Sequence, residues 1–230
     1  MKVKLLLLAL FVSFLSSGQT FNANYLFGSV TISSVTTDPT PVPTSTGATF
    51  GSFNAVGSPI NPNGATRFTF IGWDTGAING SNTFTGIINT GKYYQVTVTP
   101  AAGYTLDINS IVFTLQRSGT GIRQYSVRSS LDYTTNLPAS ISPANTNLSI
   151  ASTNVFQVTD ASTGAENGST ISLGSSYDAI SSAVTFRFYG WNAEATGGSF
   201  SIDNVVINGV ATAVSSCAVP TINPTVSATQ

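Results

Sequence analysis

Two short stretches, FIGWD (Phe70 to Asp74) and FYGWN (Phe188 to Asn192), share one pattern: a strand end, a glycine, a tryptophan and a short polar side chain. Such parts suit sugar recognition, because an aromatic face stacks on the apolar C–H face of a pyranose while Asp or Asn bonds to vicinal hydroxyls. Trp73, Asp74, Tyr189, Trp191 and Asn192 are therefore candidate ligand-binding residues. They form one platform if both stretches lie at the same end of the fold. The competing reading is that both tryptophans plug the core, with their indole N–H groups bonded to turn carbonyls. Tyr189, two residues from an outward-facing Arg187, is the aromatic expected to be exposed.

Two further constellations are weighed in the same way. A carboxylate pair could hydrolyse a glycosidic bond, one acid protonating the leaving oxygen and the other attacking or activating water. Asp74, Asp132, Asp178, Glu166 and Glu194 are the candidates, but both glutamates sit in Gly/Asn/Thr-rich segments where a solvated turn residue is the simpler explanation. Asp203, followed by Asn204, is the one residue nominated as ligand to a structural Ca2+, a cation that needs six to eight oxygens. Its alternative is a loop cap in which the carboxylate accepts backbone N–H bonds. No motif requires a cofactor.

Composition removes other chemistries. The chain has no histidine and one cysteine, Cys217, so serine triads, cysteine–histidine dyads and ordinary zinc sites lack their residues. There is no GxxxxGK phosphate loop. Charged residues make up only 7% of the chain, and the local group Arg117, Arg123 and Arg128 is interleaved with Asp107 and Asp132, which reads as cross-strand pairing. Nucleic acid is not an expected partner.

The first residues, MKVKLLLLALFVSFLSSGQT, carry two lysines, an apolar run, and Ser16 and Gly18 placed for a cut before Gln19. They read as a secretory signal peptide over residues 1–18. The run is shorter than the ~20 residues a membrane span needs, so no membrane insertion is expected once it is removed. Without Lys2 and Lys4, six basic residues face nine acidic ones, a formal charge of −3.

Short alternating strands are expected to position the candidates. KYYQVTVTP sends Tyr94, Val96 and Val98 to one face, INSIVFTLQR does so with Ile111, Phe113 and Leu115, and AVTFRFYG with Val184, Phe186 and Phe188. RQYSVRSS points Tyr125 and Val127 inward and Arg128 outward, with SGTG before it as a hairpin turn. Further strands are expected in YLFGSVTI, ATFGSFNAV, RFTFIGW, TNLSI and NVFQVTD, with Asn-Gly turns at Asn63, Asn79, Asn167 and Asn208. No long helical stripe appears, and many short strands between turn signals predict an all-β fold, a two-layer antiparallel β-sandwich of jelly-roll type. It is expected to span residues 19–212, with a proline-rich connection at 38–47. Residues 213–230 read as a linker and the start of a following domain, with Cys217 awaiting a partner beyond it.

The order GW, YYQVTVTPAAGYTLDINSIVFTLQRSGTGIRQYSVRSSLDY, VTFRFYGWNAEATGGSFSIDNVVING resembles a β-sandwich module of secreted Bacteroidota proteins. The likeness covers roughly Tyr25 to Gly209, and its most specific piece runs from Arg117 to Tyr133. It implies kinship with carbohydrate-binding and galactose-binding-like jelly rolls set beside immunoglobulin-like or fibronectin-like repeats in type IX-secreted proteins. It carries no catalytic residues.

The expectation is a secreted or cell-surface, non-catalytic module that binds a polysaccharide or cell-surface glycan, or serves adhesion and display, with downstream domains of the same protein as partners. A structural spacer is the alternative, and a carboxylate-dependent glycoside hydrolase the third. Paired exposed tryptophans favour the first, buried tryptophans the second, and two facing carboxylates in a cleft the third.

Overall fold

The computed structural model describes residues 18–57 and 64–214. The signal-peptide run, Asn63 and Cys217 lie outside the described residues. In chain order the strands are β1 (Gln19–Tyr25), β2 (Ala48–Phe50), β3 (Asn54–Val56), β4 (Phe68–Phe70), β5 (Tyr93–Pro100), β6 (Tyr104–Arg117) and β7 (Gln124–Ser129). Then follow β8 (Ala139–Ile141), β9 (Leu148–Ser152), β10 (Val155–Val158), β11 (Ala165–Ser172), β12 (Val184–Trp191) and β13 (Phe200–Ala213). Among the described residues no helix is long and apolar enough to cross a membrane.

Two antiparallel sheets face each other. One runs β1-β13-β6-β11-β8, with β4 beside the start of β13; the other runs β2-β5-β12-β7-β10-β9, with β3 beside the start of β5. The all-β sandwich is thus the observed fold. Strand parity explains its core: Tyr94, Val96 and Val98, Ile111, Phe113 and Leu115, Tyr125 and Val127, and Val184, Phe186 and Phe188 all lie in one buried cluster between the sheets.

Several local expectations are corrected. SGTG is no hairpin turn, because β6 and β7 belong to different sheets. The segment between β12 and β13 likewise crosses from one sheet to the other, so FYGWN closes a strand at a crossing. Long strands pass from sheet to sheet, β5 to β6 to β7 and β12 to β13, as in a jelly roll. The segment YLFGSVTI contributes only Tyr25 to a strand; β1 lies earlier. GAENGS is no loop but the first part of β11.

Three Asn-Gly or Asp-Asn pairs mark kinks within strands. Gly168 (φ 103°) sits where β11 slips against β6, and the Asn208-Gly209 step is a register shift inside β13. Asn204 takes a left-handed φ of 47°, and between Asp203 and Val206 β13 carries one residue more than β6 opposite. This bulge re-phases β13, so that Phe200 and Ile202 before it, and Val205 and Ile207 after it, all face inward.

Gln19 pairs with Ala211 and Tyr25 with Val205. The start of β1 and the end of β13 therefore share one pole of the sandwich. Phe200, the first residue of β13, pairs with Arg117 and Phe70 at the opposite pole.

Candidate functional site at the arginine-tied pole

Both tryptophan motifs do lie at this opposite pole. Thr75 bridges Ala193, the Ala193 N–H donates to the Asp74 carbonyl at 3.0 Å, and the Gly72 N–H donates to the Thr196 carbonyl at 3.0 Å. They do not form a platform. Trp73 (1% exposed) turns into the core, edge-on to Tyr94 (5.2 Å) and Phe200 (5.2 Å), and its indole N–H donates to the Phe70 carbonyl at 2.9 Å. This is the plug arrangement.

Trp191 faces the other way. β12 pairs with β7 without a register shift from Phe186 to Trp191, so Gly190 occupies an inward position and Tyr189 and Trp191 point outward. A Cβ at Gly190 would stand 2.7 Å from the Phe200 ring, which is why only glycine fits there. The outward direction expected for Tyr189 is correct, but its exposure is not. Tyr189 (1%) and Trp191 (4%) form a second buried cluster with Tyr93 and Val155, against which Ile88 packs. Arg128 lies over the Tyr189 ring at 5.4 Å, and Arg187 is held between the rings of Tyr93 (4.2 Å) and Tyr133 (3.8 Å).

The strap from Asp74 to Lys92 lays Ile88 on this cluster beside Val56 of β3, and two predicted ligand residues hold it down. Asp74 closes its base, accepting from Lys92 at 2.6 Å and from Asn89 at 2.8 Å, and the Lys92 bond keeps its carboxyl below the usual range. Asn192 is fully buried at a left-handed φ of 55°. Its Oδ1 accepts the Gly86 N–H and its Nδ2 donates to Gln124, both at 2.7 Å.

The arginines do not pair with Asp107 and Asp132. Arg117 and Arg123, both with fully buried side chains, converge on Asp160 and Glu194. Arg117 reaches Glu194 at 2.6 Å and the carbonyls of Asp160 and Gly119. Arg123 spreads its donors over the Val158 and Ser81 carbonyls, Asp160 at 2.8 Å and Asn82 at 2.6 Å. Burial, then the neighbouring Asp160 carboxylate, raises the Glu194 pKa; the hydrogen bond from the Glu194 carboxyl lowers that of Asp160. The two carboxyls thus lie between two buried cations, Glu194 shifted up and Asp160 down. Glu194 Oε2 is buried and makes no ordinary hydrogen bond.

This cluster ties together the two sheet-crossing segments, 118–123 and 192–199. The Ser118 and Ser199 hydroxyls each accept the other residue's backbone N–H, at 2.9 and 3.1 Å, and Glu194 and Ala195 donate to the Thr120 carbonyl. Gly121 and Gly198 are needed because a Cβ on either would run into backbone of the other segment.

The remaining candidates disperse. Asp132 caps the turn at Thr134, Glu166 is held by Asn145, Asn147 and Ser162, and these do not face each other as a catalytic pair. Asp203 accepts the Asn204 N–H at 2.8 Å and the Asn204 side-chain amide at 3.2 Å, the loop-cap alternative to a Ca2+ ligand. Among the described residues no three carboxylate, thiol or imidazole groups gather as a metal site. Asp178 takes part in none of these clusters.

No protein-family model, no curated protein and no solved structure matches the chain.

Proposed function

We propose that the chain is an exported, non-catalytic β-sandwich module that displays its arginine-tied pole away from neighbouring domains at the cell surface. The supporting observation is the pairing of Gln19 with Ala211, while the segments around Arg117, Arg123, Asp160 and Glu194 lie at the other end of β13. A module joined to a downstream domain past β13 hangs from it by that pole, and its far pole is the one presented. The enclosed tryptophans speak against the aromatic platform as the means of any contact.

Inserting a peptide tag at Gly164, an exposed glycine with open space around it next to β11, provides the test. Antibody staining of intact producing cells is the expected result. Staining only after lysis would sink the display reading.

A further inference from the structure

Arg123 poses a question that packing does not answer. A fully buried guanidinium with a carboxylate partner is a weak source of stability, since apolar residues of similar volume do as well or better. What Arg123 does achieve is orientation: it fixes the Ser81 carbonyl, the Asn82 amide oxygen and the Asp160 carboxylate in one plane of donors. Support of surface groups by a rigid inner residue is what a binding site needs.

Those groups line one wall of a groove of about 410 Å3 on the outer face of the second sheet. The other wall is the β9–β10 hairpin, where Ser149 and Gln157 stand directly opposite each other. Thr159 completes the lining between them. The volume falls within the ~300–1,000 Å3 typical of small-ligand clefts.

The chemistry of this lining is specific. The Asp160 side chain is 28% exposed; its Oδ1 accepts from Arg123 and its Oδ2 from the Gly80 N–H at 2.9 Å, each oxygen keeping a further lone pair to accept with. Asn82 turns its oxygen to Arg123, which directs its amide N–H groups away from the core, and Gln157 accepts from Gln124 through its oxygen, leaving its own amide as donor. The Ser149 hydroxyl donates or accepts, and the Thr159 hydroxyl, which donates to Asn147 Oδ1 at 3.4 Å, can accept. One strong acceptor flanked by two amide donors and two hydroxyls matches adjacent hydroxyl groups, each a donor and an acceptor. It suits neither an anion, which Asp160 repels, nor an apolar chain.

We propose that this groove, between the strap residues Ser81 and Asn82 and the β9–β10 hairpin, is a binding site for a neutral saccharide. The site goes beyond the display reading and does not rest on it.

The test is an amide-resolved NMR titration of the full secreted chain with neutral hexasaccharides of glucose, mannose and xylose, and with oligogalacturonate as the acidic control. At least one neutral probe is expected to give saturable shifts at Asn82, Ser149, Gln157 and Asp160. Gln157→Ala should weaken that binding about tenfold, the loss of about 1.4 kcal/mol. Ser149→Trp, on the exposed face of the edge strand, should abolish it while resonances elsewhere keep their positions. Absence of saturable shifts with every neutral probe, shifts that survive Ser149→Trp, or a response to oligogalacturonate alone would each overturn the proposal.

Discussion

Asn192 Oδ1 accepts the backbone N–H of Gly86 at 2.7 Å, across 106 positions of the chain, and so fastens the strap over Trp191. Asn192→Ala orphans the half-buried Gly86 N–H and the Gln124 oxygen and forces alanine into a left-handed conformation. A loss of about 2–4 kcal/mol is expected in urea unfolding. Asn192→Gly should lose less, since only the bonds go and the backbone is at ease. With Trp73→Phe in place, Trp191 emission should start blue and resist acrylamide, then shift red in Asn192→Ala. Red emission from the parent would contradict the strap.

The contact between the two crossing segments predicts unequal behaviour of neighbouring glycines. Gly198→Ala drives a Cβ into the Thr120 carbonyl and to 2.8 Å from Gly121 Cα, whereas a Cβ at Gly197 meets nothing within 4 Å. Thermal unfolding should show a cost of about 3 kcal/mol for the first, at the upper end of overpacking. The second should stay within ~0.5 kcal/mol. Equal effects would mean that the segments do not touch as described.

Glu194 and Asp160 impose opposite pH dependences. The folded pKa of Glu194 lies above its ordinary value, so its contribution is complete below pH 4.5 and is lost as pH rises through the raised value. That of Asp160 lies below its ordinary value, so its contribution is present above pH 3.8 and is lost as pH falls through the depressed one. Glu194→Gln can keep an acceptor for Arg117 and removes the first dependence, and because the Glu194 carboxyl bonds Asp160 it also alters the second. Urea midpoints across pH should therefore decline toward neutrality more in the parent than in the variant, while both weaken in strong acid. Parallel profiles would contradict a raised pKa at Glu194.

Tyr189 is buried with a hydroxyl that makes no ordinary hydrogen bond among the described residues. Tyr189→Phe is therefore expected to remain within about 1 kcal/mol of the parent in urea unfolding. A cost beyond ~2 kcal/mol would show that the hydroxyl is partnered.

Strand facing was legible in the sequence because alternation is local: Val184, Phe186 and Phe188 face the core as their spacing says. Sheet membership was not, since the glycines of SGTG are equally suited to a hairpin and to a crossing, and only the contact of Gly121 with the 192–199 segment decides between them. Trp191 shows the same divide. Its outward direction follows from parity, but its burial depends on a strap that has no periodic pattern of its own and is held by Asn192 and Asp74, two residues that read as ligand contacts. The Arg123 cluster was missed because its partners, Asp160 and Asn82, lie 37 and 41 positions away in opposite directions.

The pairing of β1 with β13 also has a mechanical consequence. Tension applied through Gln19 and Ala213 pulls the two strands apart from the end they share, so their hydrogen bonds are loaded one after another and never all at once. Such an arrangement unzips at low force. Pulled at Gln19 and held at Ala213, β1 would peel from β13 one bond at a time, and the sandwich would open from that pole first.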